Sequence, residues 1–133
     1  MTLADARDYV ASLNITESQK VYMGKLDAKP DKTIGVYHSK HQHTYKIAIG
    51  GASLESYGTK YVTLLIHWNK SPRDTEKAAT ALFEALTATR EAQINNETIK
   101  FIQPLYEIQD VGTDDSGTYE MVIEAAFIYA KGE

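Results

Sequence analysis

Between Tyr61 and Glu91 the apolar pattern changes period once, from two residues to about 3.6, and this switch restricts the possible folds more than any other stretch. In Tyr61 to Asn69, Val62, Leu64, Ile66 and Trp68 alternate onto one side of a pleat. The other side carries Tyr61, Thr63, Leu65 and His67, the mixture expected of a strand covered on one face and partly wetted on the other. Ser71, Pro72 and Asp74 then start a helix. The serine can accept an orphan amide, proline fixes φ where no donor is lost, and the acid meets the positive end of the dipole. The spacing predicts a helix to about Arg90, with Thr75, Ala79, Leu82 and Leu86 on its buried stripe and Ala78 and Phe83 at the margins. Arg73, Lys77, Thr80, Glu84, Thr87 and Glu91 form the solvated back, and small residues at 78, 79, 81, 85 and 88 suit close approach to a sheet.

The remaining segments read as additions to this strand–helix unit. Thr2 to Leu13 predicts a short amphipathic helix with Leu3, Ala6, Val10 and Leu13 on one face, a capping box of Thr2 with Asp5, and Asn14 closing its end. Such a helix is marginal alone and must dock. Lys20 to Lys25 reads as a first strand, Leu26 to Thr33 as a polar connection, and Ile34 to His38 as a second extended segment. Ser39 to Thr44 is a polar tip that turns this segment into a strand over Tyr45 to Ile49, which Gly50-Gly51 ends. Ala52 to Lys60 reads as a loop in which Gly58 offers a positive φ.

Beyond the long helix, Asn95-Asn96 mark a turn, and Thr98 to Gln103 reads as a strand stopped or held at an edge by Pro104. Leu105 to Val111 is extended but irregular, and Gly112 to Gly117 is a turn. Thr118 to Ala130 is the longest strand pattern. Tyr119, Met121, Ile123, Ala125, Phe127 and Tyr129 form its core face, with Glu120 and Glu124 wetting the start of the other. The whole is an α+β domain over residues 1–133, a mostly antiparallel sheet with an N-terminal helix and one long central helix packed on it.

Composition narrows the function classes. A chain of 133 residues buries roughly 65–70% of its unfolded surface without staples. The absence of cysteine excludes disulfides and thiolate chemistry and fits a reducing compartment. Apolar runs fall far short of the ~20 residues that span a bilayer, so a soluble protein made in the cytoplasm, without a membrane partner, is expected. Fourteen basic against 18 acidic residues give a formal net charge of −4, which argues against a clamp built on phosphate neutralisation.

Three of the four histidines, His38, His41 and His43, cluster near the polar tip, where two imidazoles spaced two apart on a strand would point the same way toward a divalent metal. No cysteine or neighbouring carboxylate completes a first shell, so a histidine-rich polar turn accounts for them more simply. Asp110, Asp114 and Asp115 with Ser116 and Gly117 lack the ligand spacing and closing glutamate of a calcium loop. His67 can pair with a carboxylate or act as a base, but no serine or cysteine nucleophile sits in a suitable context. Gly50-Gly51 lacks any phosphate-binding pattern. No catalytic residue, cofactor site or metal site is assigned, and a binding or structural role follows.

Lys46 to Gly51 (KIAIGG), Ser56 to Lys60 (SYGTK), Leu64 to Glu84 (LLIHWNKSPRDTEKAATALFE) and Asp110 to Glu124 (DVGTDDSGTYEMVIE) resemble the minor capsid or tail terminator (tail completion) proteins of long-tailed phages and prophages of Gram-positive bacteria. The resemblance covers nearly the whole chain. It implies a non-enzymatic virion subunit that assembles as a ring of six copies on the head-proximal end of the tail tube. Its implied partners are further copies of itself, the tail tube protein and the head-completion or connector protein, with DNA passing through the lumen unbound. It transfers no catalytic residues, and the histidine-rich tip has no counterpart in the family pattern. A small metal-binding enzyme and a soluble ligand- or peptide-binding module are the readings that compete with it.

The chain itself suggests where ring contacts lie. A strand as long as Thr118 to Ala130 needs neighbours on both edges or a device that blunts an exposed one. Asp110, Asp114 and Asp115, with Glu120 and Glu124 of the adjacent edge, are therefore expected to meet a basic surface of the next subunit, with Arg73, Lys77 or Arg90 as complements. Replacing His38, His41 and His43 together with alanine should leave the thermal melt within a few degrees of wild type, because a polar tip adds little to a core.

Overall fold

The structure is a computed structural model and describes residues 1–24, 30–40 and 57–131. The strand expected at Tyr45 to Ile49 and most of the Ala52 to Lys60 segment lie outside the described residues, as do His41 and His43. Helix α1 spans Leu3–Ser12. Thr2 Oγ1 accepts from the Asp5 amide at 3.1 Å while Asp5 Oδ2 accepts from the Thr2 amide at 2.9 Å, the reciprocal box that its sequence specifies. Asn14, at φ 59°, turns the chain out of the helix.

Helix α2 spans Pro72–Thr87, capped by Ser71 Oγ accepting from the Asp74 amide at 3.2 Å. Thr75, Ala78, Ala79, Leu82 and Leu86 are buried along it, the stripe its periodicity predicts. It ends three residues short of Arg90. Thr89 is buried and anchored there, its Oγ1 bonding the Ala85 carbonyl at 2.9 Å and the Tyr9 hydroxyl at 2.7 Å. Arg90 and Glu91 accordingly leave the helix back and begin a strand.

The strands are β1 (Val21–Met23), β2 (Thr33–His38), β3 (Tyr57–His67), β4 (Arg90–Ile94), β5 (Glu97–Pro104), β6 (Gln109–Thr113) and β7 (Tyr119–Ala130). They form one sheet in the order β1-β2-β3-β7-β5-β4, with β6 paired to β7. All pairings are antiparallel except that of β1 with β2. Arg7 of α1 ties that parallel corner down, donating from Nε to the Val21 carbonyl at 2.8 Å and from Nη2 to the Ser18 carbonyl at 2.6 Å.

Gly58, β4 and the Gly112 turn depart from the expected pattern. Gly58 supplies no positive φ. It lies within β3, opposite Tyr129, where a Cβ would come within 2.7 Å of that ring, so glycine is needed for close approach. Strand β4 stands where the periodicity predicts the helix end and a turn. In fact it forms a hairpin with β5 through Asn95 and Asn96 at φ 48° and 67°, the positive pair of a type I′ turn. Of the two roles expected of Pro104, it stops β5 and does not hold it at an edge, because β5 lies between β4 and β7. The proline is its last residue, beyond the final β4 pairing at Arg90↔Phe101. Gly112 and Thr113 belong to β6 rather than to the turn, with Gly112 at φ 86° taking up a register shift against β7.

Strand β7 has no open edge along its length. β3 pairs with it from Glu120 to Ala130 on one side, and β6 and then β5 fill the other. Among the described residues β6 is an edge strand, as are β1 and β4, and its only strand neighbour is β7.

Both helices pack on one face of the sheet. Val62, Leu64, Ile66, Ile123, Ala125 and Phe127 meet Val10, Leu82 and Leu86 there, and all are at most 1% exposed. Phe127 receives the Tyr9 ring edge-on at 6.4 Å between centroids. On the opposite face Tyr61, Thr63 and Leu65 are half-buried as expected. Glu124 is not wetted as its pattern suggests but buried, with Thr63 Oγ1 at 2.9 Å from each of its carboxylate oxygens and Ser39 Oγ at 3.3 Å.

Asn95 also joins the hairpin turn to α1, donating from Nδ2 to Asp8 Oδ2 at 2.7 Å and Asp5 Oδ1 at 3.2 Å. The Asn95 amide, followed by Arg7, holds the Asp8 carboxyl below its ordinary range. For Asp5 the leading influence is burial, which raises its carboxyl, but the Thr2 amide and Asn95 outweigh it and the net shift is downward. Depressed carboxyls stabilise the fold above the unfolded carboxylate value of about 3.9, and that contribution is lost as pH falls through their folded values.

Two outcomes follow for the isolated protein. Leu82→Ala should cost about 2–5 kcal/mol in urea unfolding, since it empties the centre of the α2 stripe. Asn95→Gly, which keeps the positive φ but removes the amide, should flatten the loss of stability below about pH 4 in melts taken across pH. The effect is small, because both carboxylates are largely solvated.

Candidate functional site

Two neighbouring features stand out around the β6–β7 hairpin. One is a histidine–carboxylate cluster on the sheet face opposite α1 and α2, and the other is an open groove beside α2. Residue His67 ends β3 and lies directly across from Glu120 at the start of β7, while Thr33 of β2 flanks it on the other side. The ladder continues past it, Trp68 donating to the Tyr119 carbonyl at 3.1 Å and Tyr119 to the Asn69 carbonyl at 2.8 Å, so the backbone on both sides is held. The imidazole is fully buried. Its Nδ1 lies 2.9 Å from Glu120 Oε2 and 3.7 Å from Asp114 Oδ2.

Asp114 reaches this position from the turn. Its Oδ1 accepts from the amides of Ser116 at 2.9 Å and Thr118 at 3.0 Å, an Asx-type arrangement that orders the turn and aims Oδ2 at the histidine. Among the described residues, these three are the group whose nitrogen and oxygen donors lie close enough to share one ion, all within 4.8 Å of one another. The pairing of His67 with a carboxylate was one of the two roles open to it in the sequence. Its partners were not, because the pairing spans 53 residues and depends on the β3–β7 register.

Of the acidic residues expected at a subunit contact, Asp114 and Glu120 thus face inward toward His67, and Glu124 is buried against Thr63. Asp110 and Asp115 are exposed, Asp110 Oδ1 accepting from the Gly112 amide at 2.9 Å. Of the expected basic complements, Arg73 and Lys77 are exposed on α2 and make no ion pair among the described residues. Arg90 instead closes its own helix, donating from Nη1 to the carbonyls of Thr87 at 2.9 Å and Thr89 at 2.7 Å.

The groove is an open cleft of about 470 Å³ beside α2, lined by Glu76, Lys77 and Glu84 of the helix and by Ile108, Asp110 and Met121. Next to it Tyr106 and Val111 are about half exposed, at 48% and 50%, on the open side of the sheet. Of the histidine tip, His38 is exposed at the end of β2 with its Nδ1 3.0 Å from Lys60 Nζ. No helix among the described residues is long and apolar enough to cross a membrane.

A search of curated proteins finds none that corresponds significantly to the sequence. A family model described as bacteriophage tail terminator protein, however, matches residues 9–131, which include every strand and all of α2. The α+β fold, the two helices on one face and the long β7 all fall within or across that match, and the chain belongs to the bacteriophage tail terminator protein family.

Proposed function

We propose that this protein caps the head-proximal end of a phage tail tube as a ring of six copies, stops tube polymerisation and presents a surface to the head connector. The observation that carries this reading is the family match across residues 9–131, which gives a structural role in the phage tail. The role proposed is non-catalytic. Its partners are the chain itself, the tail tube protein and the connector protein, and DNA crosses the lumen without being gripped, as suits a chain of net charge −4.

A closed ring needs two different surfaces on each subunit that meet head to tail. The exposed β6 edge with Tyr106, Val111, Asp110 and Asp115 supports one such surface, and the back of α2 with Arg73 and Lys77 supports its complement. Arg90 remains a candidate beside them, although its guanidinium already serves the end of α2. The inward-facing Asp114, Glu120 and Glu124 act by holding the hairpin in place. Rim pairs of this kind contribute about 0–1 kcal/mol each, and repetition around a ring lets them set register.

Two measurements test the reading. A phage lacking this protein should produce filled heads and separate tails of excessive or irregular length under electron microscopy, whereas normal tails joined to heads would overturn the capping role. The double reversal Asp110→Lys with Asp115→Lys should keep a native circular dichroism spectrum while weakening ring formation or tube capping. Arg73→Glu with Lys77→Glu should restore assembly in that background. Full assembly by the double reversal alone would put the contacts elsewhere.

A further inference from the structure

We propose that His67, Asp114 and Glu120 form a binding site for a divalent transition metal of the zinc class, and that the ion pins the β6–β7 turn to the end of β3. This inference is independent of the ring, since it concerns the single folded chain.

The donor set is the first argument. One imidazole nitrogen and two carboxylate oxygens suit a borderline cation such as zinc, whereas magnesium and calcium prefer oxygen alone. Zinc held at about 2.0–2.2 Å by such donors spaces tetrahedral ligands about 3.4 Å apart. The distances from His67 Nδ1, 2.9 Å to Glu120 Oε2 and 3.7 Å to Asp114 Oδ2, bracket that value. Small side-chain rotations would therefore open a position for the ion among them, with water completing the shell.

Preorganisation is the second argument. His67 and Glu120 are fixed as a cross-strand pair between two paired strands. The third donor is held by its own turn, because amides from Ser116 and Thr118 occupy Asp114 Oδ1 and leave Oδ2 turned toward the imidazole. A site whose donors are already oriented loses little ordering entropy when an ion binds.

Charge is the third argument. The side chains of His67, Asp114 and Glu120 are only 0%, 9% and 18% exposed, so two carboxylates are brought together largely out of water. A divalent cation held among these donors would be attracted to both carboxylates at once.

The test uses the full chain carrying His38→Ala, His41→Ala and His43→Ala, freed of metal by chelation, so that binding at the tip cannot contribute. Titration with zinc chloride should show one equivalent bound per chain. The melting temperature should rise by about 10 °C once free zinc exceeds Kd a hundredfold. Cobalt(II) substitution should give visible absorption of a low-coordinate nitrogen and oxygen site. Asp114→Asn with Glu120→Gln, which keeps shape and removes both charges, should abolish the zinc-dependent rise and the cobalt spectrum. Absence of zinc binding in the triple-alanine protein, undiminished binding in the Asn/Gln variant, or an equal response to magnesium chloride would each overturn the proposal.

Discussion

The antiparallel ladder between β3 and β7 is the constraint on which the other elements depend. It pairs Tyr57–His67 with Glu120–Ala130 residue for residue without a break. Its alternation sends Val62, Leu64, Ile66, Ile123, Ala125 and Phe127 toward the helices. A one-residue slip would turn that whole set toward the opposite face, so the burial of α1 and α2 and the register of the ladder enforce each other. β2 extends the ladder on one side and β5 and β6 on the other, so each further element takes its position from these two strands.

The same register gives the face opposite α1 and α2 its character. The pairs His67↔Glu120 and Thr63↔Glu124 place carboxylates beside an imidazole and a hydroxyl, and both acids are satisfied within the sheet. An antiparallel sheet with helices on one side commonly leaves its second face to water. Here that face carries internally bonded polar pairs, with Tyr61, Leu65 and Val122 half-buried among them, which limits the continuous apolar area it offers to other molecules. The acidic turn shares this arrangement, since Asp114 is spent inward while Asp110 and Asp115 remain at the surface.

What the sequence made legible was what local chemistry decides. The capping box of α1, the Ser71-Pro72 start of α2 and the Leu82 stripe depend on residues within one or two turns of each other, and they appear in the structure as written. Strand β4 was hidden because Arg90, Glu91, Ala92 and Gln93 are good helix formers that follow a helix without a breaker. Thr89, bonded to the Tyr9 hydroxyl 80 residues away, is buried where the helix ends before them. The role of Gly58 is hidden for a related reason, because the ring that excludes a Cβ there belongs to Tyr129 on a distant strand. The candidate site was illegible on the same ground. Each of its three residues is ordinary in its own segment, and only the long-range register brings them together.

The position of β7 in the chain has a consequence for biogenesis. Every other described strand precedes it, yet it contributes to three pairings and to the middle of the core. Local units such as α2 and the β4–β5 hairpin can form as soon as they leave the ribosome, but the ladder between β3 and β7 must close a loop of 53 residues or more. Until β7 is made, the face of β3 that will carry the core has no central partner, and the nascent chain exposes Val62, Leu64 and Ile66. Translation must therefore run almost to the end of β7 before a stable subunit exists.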